Sequence, residues 1–350
     1  MAVGQRSTPL LCKARQIYSS ALLLLKKALQ SPHVATKNTT LLSVLFMNLF
    51  ERLTRRIQGQ DGSDYHTKHL DGAITLVLLR GKKQFEDPIA RRIFLTLNTS
   101  VVTSCDEREV EVPTKYLKLR SQASQSFDAT DPLWGLSDVM LELTLLQNAM
   151  KKKELPVSRI VAAAKEIGDR LQDLSLAMSQ QCTYEVVTRV DVSDAILSEF
   201  FHVYSDHDIL RDWNKIRGFQ ILLYDLIQEY LVTYESENPC LDFETDTQSS
   251  MAVTSISEIC ASLPQYTVPA HTADSPERYR VLALLFPLYI SARSASCPRY
   301  IRDWILYRLL FIGQKMGVTQ AITIRDSLVQ GTDRNPWKVF ATLESLLHGI

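Results

Sequence analysis

The sequence predicts an all-α protein, about a dozen amphipathic helices in a single irregular helical array. Three observations predict it. Apolar residues recur at intervals of three and four along most of the chain, the period of a helix with one buried face. Twelve Gly and thirteen Pro in 350 residues, about 7% against a usual ~12%, leave long stretches without a breaker. No run of strand length alternates apolar and polar residues strongly enough to compete.

Ala14, Ile17, Ala21, Leu24, Leu25 and Ala28 make the first apolar stripe, followed by Lys26 and Lys27 and by a stop at Ser31 and Pro32. Thr39 and Thr40 precede a second stripe over 41–57, with Arg55 and Arg56 near the negative end of the helix dipole and Gly59 beyond it. Residues 69–79 form a third, short helix closed by Arg80 and Gly81. Asp87 and Pro88 cap a fourth that carries Ile89, Ile93, Phe94, Leu97, Val101 and Val102. The segment 106–131 is polar, is broken by Pro113 and holds a Ser/Gln patch over 121–126, so it is expected to be a surface loop and a subdomain boundary. Helical patterns resume at 132–150, 156–179 and 193–234, the last interrupted at Asp206, His207 and Asp208. They continue at 249–263, 275–290, 298–316 and 336–348. No repeat of fixed period marks a solenoid.

Hydrophobic residues make up 45% of the chain and charged ones 22%, enough for a packed core and too apolar for a disordered tail. Lys plus Arg equals Asp plus Glu at 39 each, so no overall bias draws the molecule to a phosphate backbone, and no direct nucleic-acid contact is expected. Six cysteines at 12, 105, 182, 240, 260 and 297 include no C-x-x-C pair, and they read as scattered, mostly buried, reduced thiols. The first thirty residues lack the apolar length and cleavage site of a secretory signal, which sets the expectation of an intracellular protein. The longest apolar run, 281–290, holds ten residues including Pro287, short of the ~20 a membrane helix needs, so no membrane partner is expected.

Glycine-rich phosphate loops, H-x-x-x-H and G-x-S-x-G are all missing, so nucleotide-dependent and hydrolytic chemistry have no sequence support. Asp225, Glu229, Thr233 and Glu237 share one helix face at steps of four. Two readings stay open for them: a solvated face, or a carboxylate set that resembles the second metal motif of class I terpene synthases, with Arg299 and Tyr300 resembling their arginine-tyrosine pair that meets diphosphate. No D-D-x-x-D accompanies the set, and Asp138 with Glu142 and Asp169 with Asp173 fit surface positions equally well. The short basic runs at 151–153, 91–92, 55–56 and 82–83 suit helix ends and exposed faces, and Trp134, Trp213, Trp304 and Trp337 sit in apolar patterns that suit core packing.

Several separated stretches resemble the C-terminal regulatory domain of fungal zinc-cluster transcription factors. His69, Gly72 and Ala73, with Arg80 and Gly81 after them, are similar to that family's H-x-x-G-A and R-G pattern, which continues from Ile93 and Phe94 to Cys105. His202, Val203 and Tyr204, then Trp213, Asn214, Arg217, Ile221 and Leu222, match its hvY…WN-x-x-R-x-x-R-I-L pattern, except that Gln220 replaces the second arginine. The fourth stretch runs from Ile256, Glu258 and Cys260 through Leu263 and Pro264 to Phe286, Pro287, Trp304, Ile312 and Gly313. The family's N-terminal binuclear zinc module has no counterpart in the residues given, as in regulators of trichothecene clusters.

The resemblance implies a transcriptional regulator of a fungal secondary-metabolite gene cluster, located in the nucleus, with the cytoplasm as the alternative. It would act through a DNA-binding transcription factor or another regulatory protein, through a small-molecule effector, or as a homodimer. No catalytic residue, cofactor or metal belongs to this reading. The alternative is an unusual humulene-type sesquiterpene cyclase acting on farnesyl diphosphate, with Mg2+ held near Asp225, Glu229, Glu237 and Arg299. A third reading places a zinc module upstream of Met1.

Overall fold

A computed structural model describes residues 8–58, 64–128, 130–153, 155–181, 183–188, 196–235, 245–267, 280–332, 335–337, 339–340 and 343. The fold is all-α: the described residues form twelve helices of ten residues or more and one two-stranded antiparallel sheet. The contacts divide the chain into Met1–Ser137 and Asp138–Ile350.

The first unit carries α1 (Thr8–Leu29), α2 (Asn38–Gln58), α3 (Asp64–Arg80), α4 (Pro88–Arg108) and α5 (Thr114–Ala123), and the boundary falls within α6 (Pro132–Lys152). The expected stops are real. Gly81 adopts φ 68° and ψ −173°, a positive-φ conformation outside the helical left-handed region that glycine takes without a Cβ penalty. Asp87 accepts a 2.9 Å hydrogen bond from the Ile89 amide, and Pro88 fills the first turn of α4, where a missing N–H costs nothing. Asp87 also accepts from the Asn38 amide at 2.6 Å, and Asn38 in turn accepts from Arg80, so the end of α3 and the starts of α2 and α4 share one polar knot.

The core of this unit is aromatic. Phe94 is fully buried, with Trp134 stacked 6.5 Å away and Phe85 edge-on at 5.1 Å. Arg120 sits over Trp134, its guanidinium carbon 3.5 Å from the ring centroid. Asn98, also fully buried, accepts from the Tyr116 hydroxyl at 2.5 Å and donates to the Ser137 carbonyl at 3.1 Å, which satisfies both ends of its amide. The expected loop over 106–131 is therefore corrected. Helix α4 runs on to Arg108, and α5 buries Tyr116, Leu119, Arg120 and Ala123 at helical spacing. Ala129 lies outside the described residues.

The second unit contains α7 (Val157–Gln181), β1 (Tyr184–Thr188), β2 (Phe200–Tyr204), α8 (His207–Glu235), α9 (Thr245–Ser262), α10 (Leu282–Arg293), α11 (Arg299–Lys315) and α12 (Thr319–Gln330). The helical pattern expected over 193–234, with its interruption at Asp206, His207 and Asp208, is corrected in the part before that interruption. Its first part is a strand of β-branched and aromatic residues paired with β1, Tyr184 opposite Tyr204 and Thr188 opposite Phe200. Helix α8 begins only after Asp206, whose carboxylate accepts from the Asp208 amide at 2.6 Å as an N-cap does. Residues 193–195 of that expectation lie outside the described residues, as do 275–279, 344–348, Gly59, Cys182 and Cys240; of Arg55 and Arg56 only the backbone is described. Helix α12 has no counterpart in the sequence reading.

Helix α10 is the centre of this unit. Every side chain from Leu282 to Ala292 is buried, Pro287 included, and α8, α9, α11 and α12 all pack against it. Gly313 of α11 faces Ile322 of α12, and a Cβ there would come within 2.3 Å of the Ile322 Cγ1, so the small residue sets how closely these helices approach. No helix among the described residues is long and apolar enough to cross a membrane. Of the cysteines, Cys105 and Cys260 are buried, Cys297 is half-buried and Cys12 is exposed.

Candidate functional site

Two polar clusters sit inside the second unit. The first is built around Arg217 of α8, which is 2% exposed. Its guanidinium donates to the Tyr204 hydroxyl at 2.7 Å, to Glu258 at 2.8 Å and to the Asn214 side chain at 3.1 Å. It also lies 5.1 Å from the Trp213 ring centroid and 5.3 Å from that of Tyr184. Asn214 donates to Ser262 at 2.9 Å, and Gln265 brackets Tyr204 by accepting from its amide at 2.9 Å and donating to its carbonyl at 2.8 Å. Burial pushes the Tyr204 hydroxyl up to about 12, and burial with the neighbouring Arg217 charge pushes His202 down to about 4. His202 therefore stays neutral at physiological pH. A buried arginine with this many partners locks β2, α8 and α9 together.

The second cluster contains two of the acidic positions singled out in the sequence. Asp225 and Glu229, one turn apart on α8, line a cavity of about 280 Å3 with Arg293 and the turns beyond α10 and α12. Asp225 is 6% exposed and accepts from the Ser294 hydroxyl at 2.7 Å, while its second oxygen lies 3.9 Å from the Arg293 guanidinium. The same guanidinium donates to Glu229 at 3.2 Å, so Arg293 supplies the positive charge that both carboxylates face. Burial raises Asp225 to about 6, against the opposing pull of Ser294 and Arg293. Burial likewise raises the nearby Cys297 thiol to about 11 and keeps it un-ionised. A smaller hollow of about 50 Å3 shares Asp225, Glu229 and Arg293 and extends toward Leu222 and Trp337.

The other sequence candidates lie elsewhere. Arg299 and Tyr300 are exposed at the start of α11 and do not line the cavity, and Glu237 lies outside the described residues. Asp138 and Glu142 both pair with Arg170 of α7, while Asp169 and Asp173 are exposed. Trp134, Trp213 and Trp337 are buried and Trp304 is half-buried. Arg293 and Ser294, the partners of Asp225, went unremarked in the sequence. Their signal there is an arginine and a serine three and four residues past the longest apolar run, where α10 ends.

Two carboxylates already facing one arginine are a poor fit to a divalent cation, which needs several oxygen ligands turned toward it. Among the described residues no group of three or more His, Cys, Asp or Glu side chains converges as a ligand set. What the cavity offers chemically is a small, partly open hollow whose charged and hydroxyl groups sit among apolar wall. Comparisons with family models, curated proteins and solved structures find no match for this chain.

Proposed function

We propose that the chain is a non-enzymatic regulatory module of the fungal transcription-regulator type, working in the nucleus through a protein partner or a small effector. One observation carries the proposal. Two stretches of the family resemblance, far apart in sequence, close on each other: Asn214 and Arg217 of the WN-x-x-R stretch bond to Ser262 and Glu258 in and next to the following stretch. The residues behind the resemblance thus have a shared scaffolding role, which is what a domain-defining pattern needs. The cyclase alternative has less support, because Asp225 and Glu229 are engaged by Arg293 and Ser294 and Arg299 lies away from them.

Deletion of the gene in its organism of origin, followed by transcript measurement, tests the proposal. Transcripts of neighbouring genes are expected to change, and unchanged transcripts overturn it. Incubation of the purified chain with farnesyl diphosphate and Mg2+ tests the alternative. A hydrocarbon product that disappears in Asp225→Ala would replace the regulatory reading with the enzymatic one.

A further inference from the structure

The two sides of the small sheet are treated differently. On the β2 side, Gln265 accepts from the Tyr204 amide at 2.9 Å and donates to the Tyr204 carbonyl at 2.8 Å, so both groups point away from β1. Residues directly opposite each other in an antiparallel pair turn their N–H and C=O groups either both toward the partner strand or both away, and the sense alternates along the strand. Tyr184 stands opposite Tyr204, so Tyr184, Val186 and Thr188 turn theirs outward, while Glu185 and Val187 bond to β2. Among the described residues no hydrogen bond reaches these three outward amides and carbonyls.

Native sheets guard an open edge with Pro, Lys, a bulge or a covering element. Strand β1 shows none of these among the described residues: it pairs with β2 without a bulge, holds no Pro or Lys, and leaves Val186 55% exposed. The edge is also complementary to itself. Two copies laid antiparallel about a two-fold axis at Val186 set Val186 against Val186, Tyr184 against Thr188 and Glu185 against Val187, and each outward residue then donates one hydrogen bond and accepts one across the axis. This register uses the whole strand and sets aromatic and β-branched residues against each other. Sliding it by two residues one way sets Glu185 against Glu185, a like-charge pair, and sliding it either way leaves residues unpaired. We propose that β1 is a homodimer interface, at which a second copy of this chain adds its own β1 antiparallel to form one sheet in the order β2-β1-β1-β2. A two-stranded ribbon is marginal by itself, and the added strands give the sheet the width that stability requires. The inference follows from the strand edge and is independent of the regulatory reading.

Sedimentation equilibrium of the full chain tests it. A strand-to-strand contact is small, and small interfaces are weak, so the measurement is carried to ~500 µM. The wild-type chain is expected to rise toward twice its monomer mass. Val186→Pro removes an outward N–H and no hydrogen bond to β2, and it is expected to weaken association about tenfold or more. Val186→Lys and Val186→Glu each set like charges against each other at the axis and are expected to weaken self-association by a similar factor. Their equimolar mixture sets Lys against Glu and is expected to associate about tenfold or more tightly than either variant with itself. The position is exposed, so these changes spare the core, and recovery in the mixture shows that both variants are folded. A wild-type chain that stays monomeric at ~500 µM overturns the proposal and leaves the edge to an extended segment of another protein. Association unchanged in Val186→Pro, or Lys and Glu variants that fail to recover together, overturns it as well.

Discussion

Replacing Asp225 by Asn removes a buried carboxylate while preserving its shape and its ability to accept from Ser294. Burial raises this group from an ordinary 3.8 to about 6 in the folded chain. Because the folded value is the higher one, the native state binds the proton more tightly. The resulting stabilisation is complete below the unfolded value and is lost as pH rises through the folded one. Two pKa units correspond to about 3 kcal/mol in all, of which about 1.4 kcal/mol is lost between about pH 5 and about pH 7.5. The groups facing Asp225, namely Arg293, Glu229, Ser294 and Cys297, are retained in the variant, so their own pH responses largely cancel in the comparison. Urea denaturation at the two pH values is expected to show a wild-type loss of stability greater than that of Asp225→Asn by about 1.4 kcal/mol. Equal losses in the two proteins would refute the claim that Asp225 is a buried, desolvated acid.

Arg217→Met is expected to destabilise the fold by about 3–5 kcal/mol in denaturant titrations, because it strands Glu258 and the Tyr204 hydroxyl; Glu258→Gln should cost less, since Glu258 is partly exposed. Phe94→Ala, at the centre of the aromatic cluster of the first unit, should cost about 3–5 kcal/mol in the same assay. Gly313→Ala is expected to cost about 1–3 kcal/mol by pushing its new methyl group into Ile322. In the double-mutant cycle, Gly313→Ala combined with Ile322→Ala should destabilise by less than the sum of the single changes; strict additivity would mean that the two residues do not touch.

Helices with a clear apolar stripe and a cap were legible in the sequence, and Asp87 with Pro88 and Arg80 with Gly81 ended or began elements where expected. Helix α5 was hidden because one of its four buried positions is Arg120, which counts as polar in a periodicity search yet sits over the Trp134 ring. Helix α12 was hidden for a related reason, since Ser327 and Ala321 share its buried face and weaken the stripe. The strand Phe200–Tyr204 runs up to the expected interruption at Asp206, and a five-residue, mostly apolar run is too short to carry a periodicity that separates strand from buried helix. The cavity was half legible. Asp225 and Glu229 share a helix face by spacing alone, but Arg293 and Ser294 come from more than sixty residues downstream and reach them only through the crossing of α8 and α10.

The wholly buried α10 also constrains how this unit is made. On the ribosome, α7, α8 and α9 emerge before Leu282, so the groove destined for α10 stays open to water for several seconds at translation speeds of ~5–20 residues per second. During that interval the nascent chain presents a greasy trough with nothing yet to fill it. When the filling arrives it is itself too apolar to wait in solution, so the two must meet as soon as both exist or be shielded by a chaperone until they do.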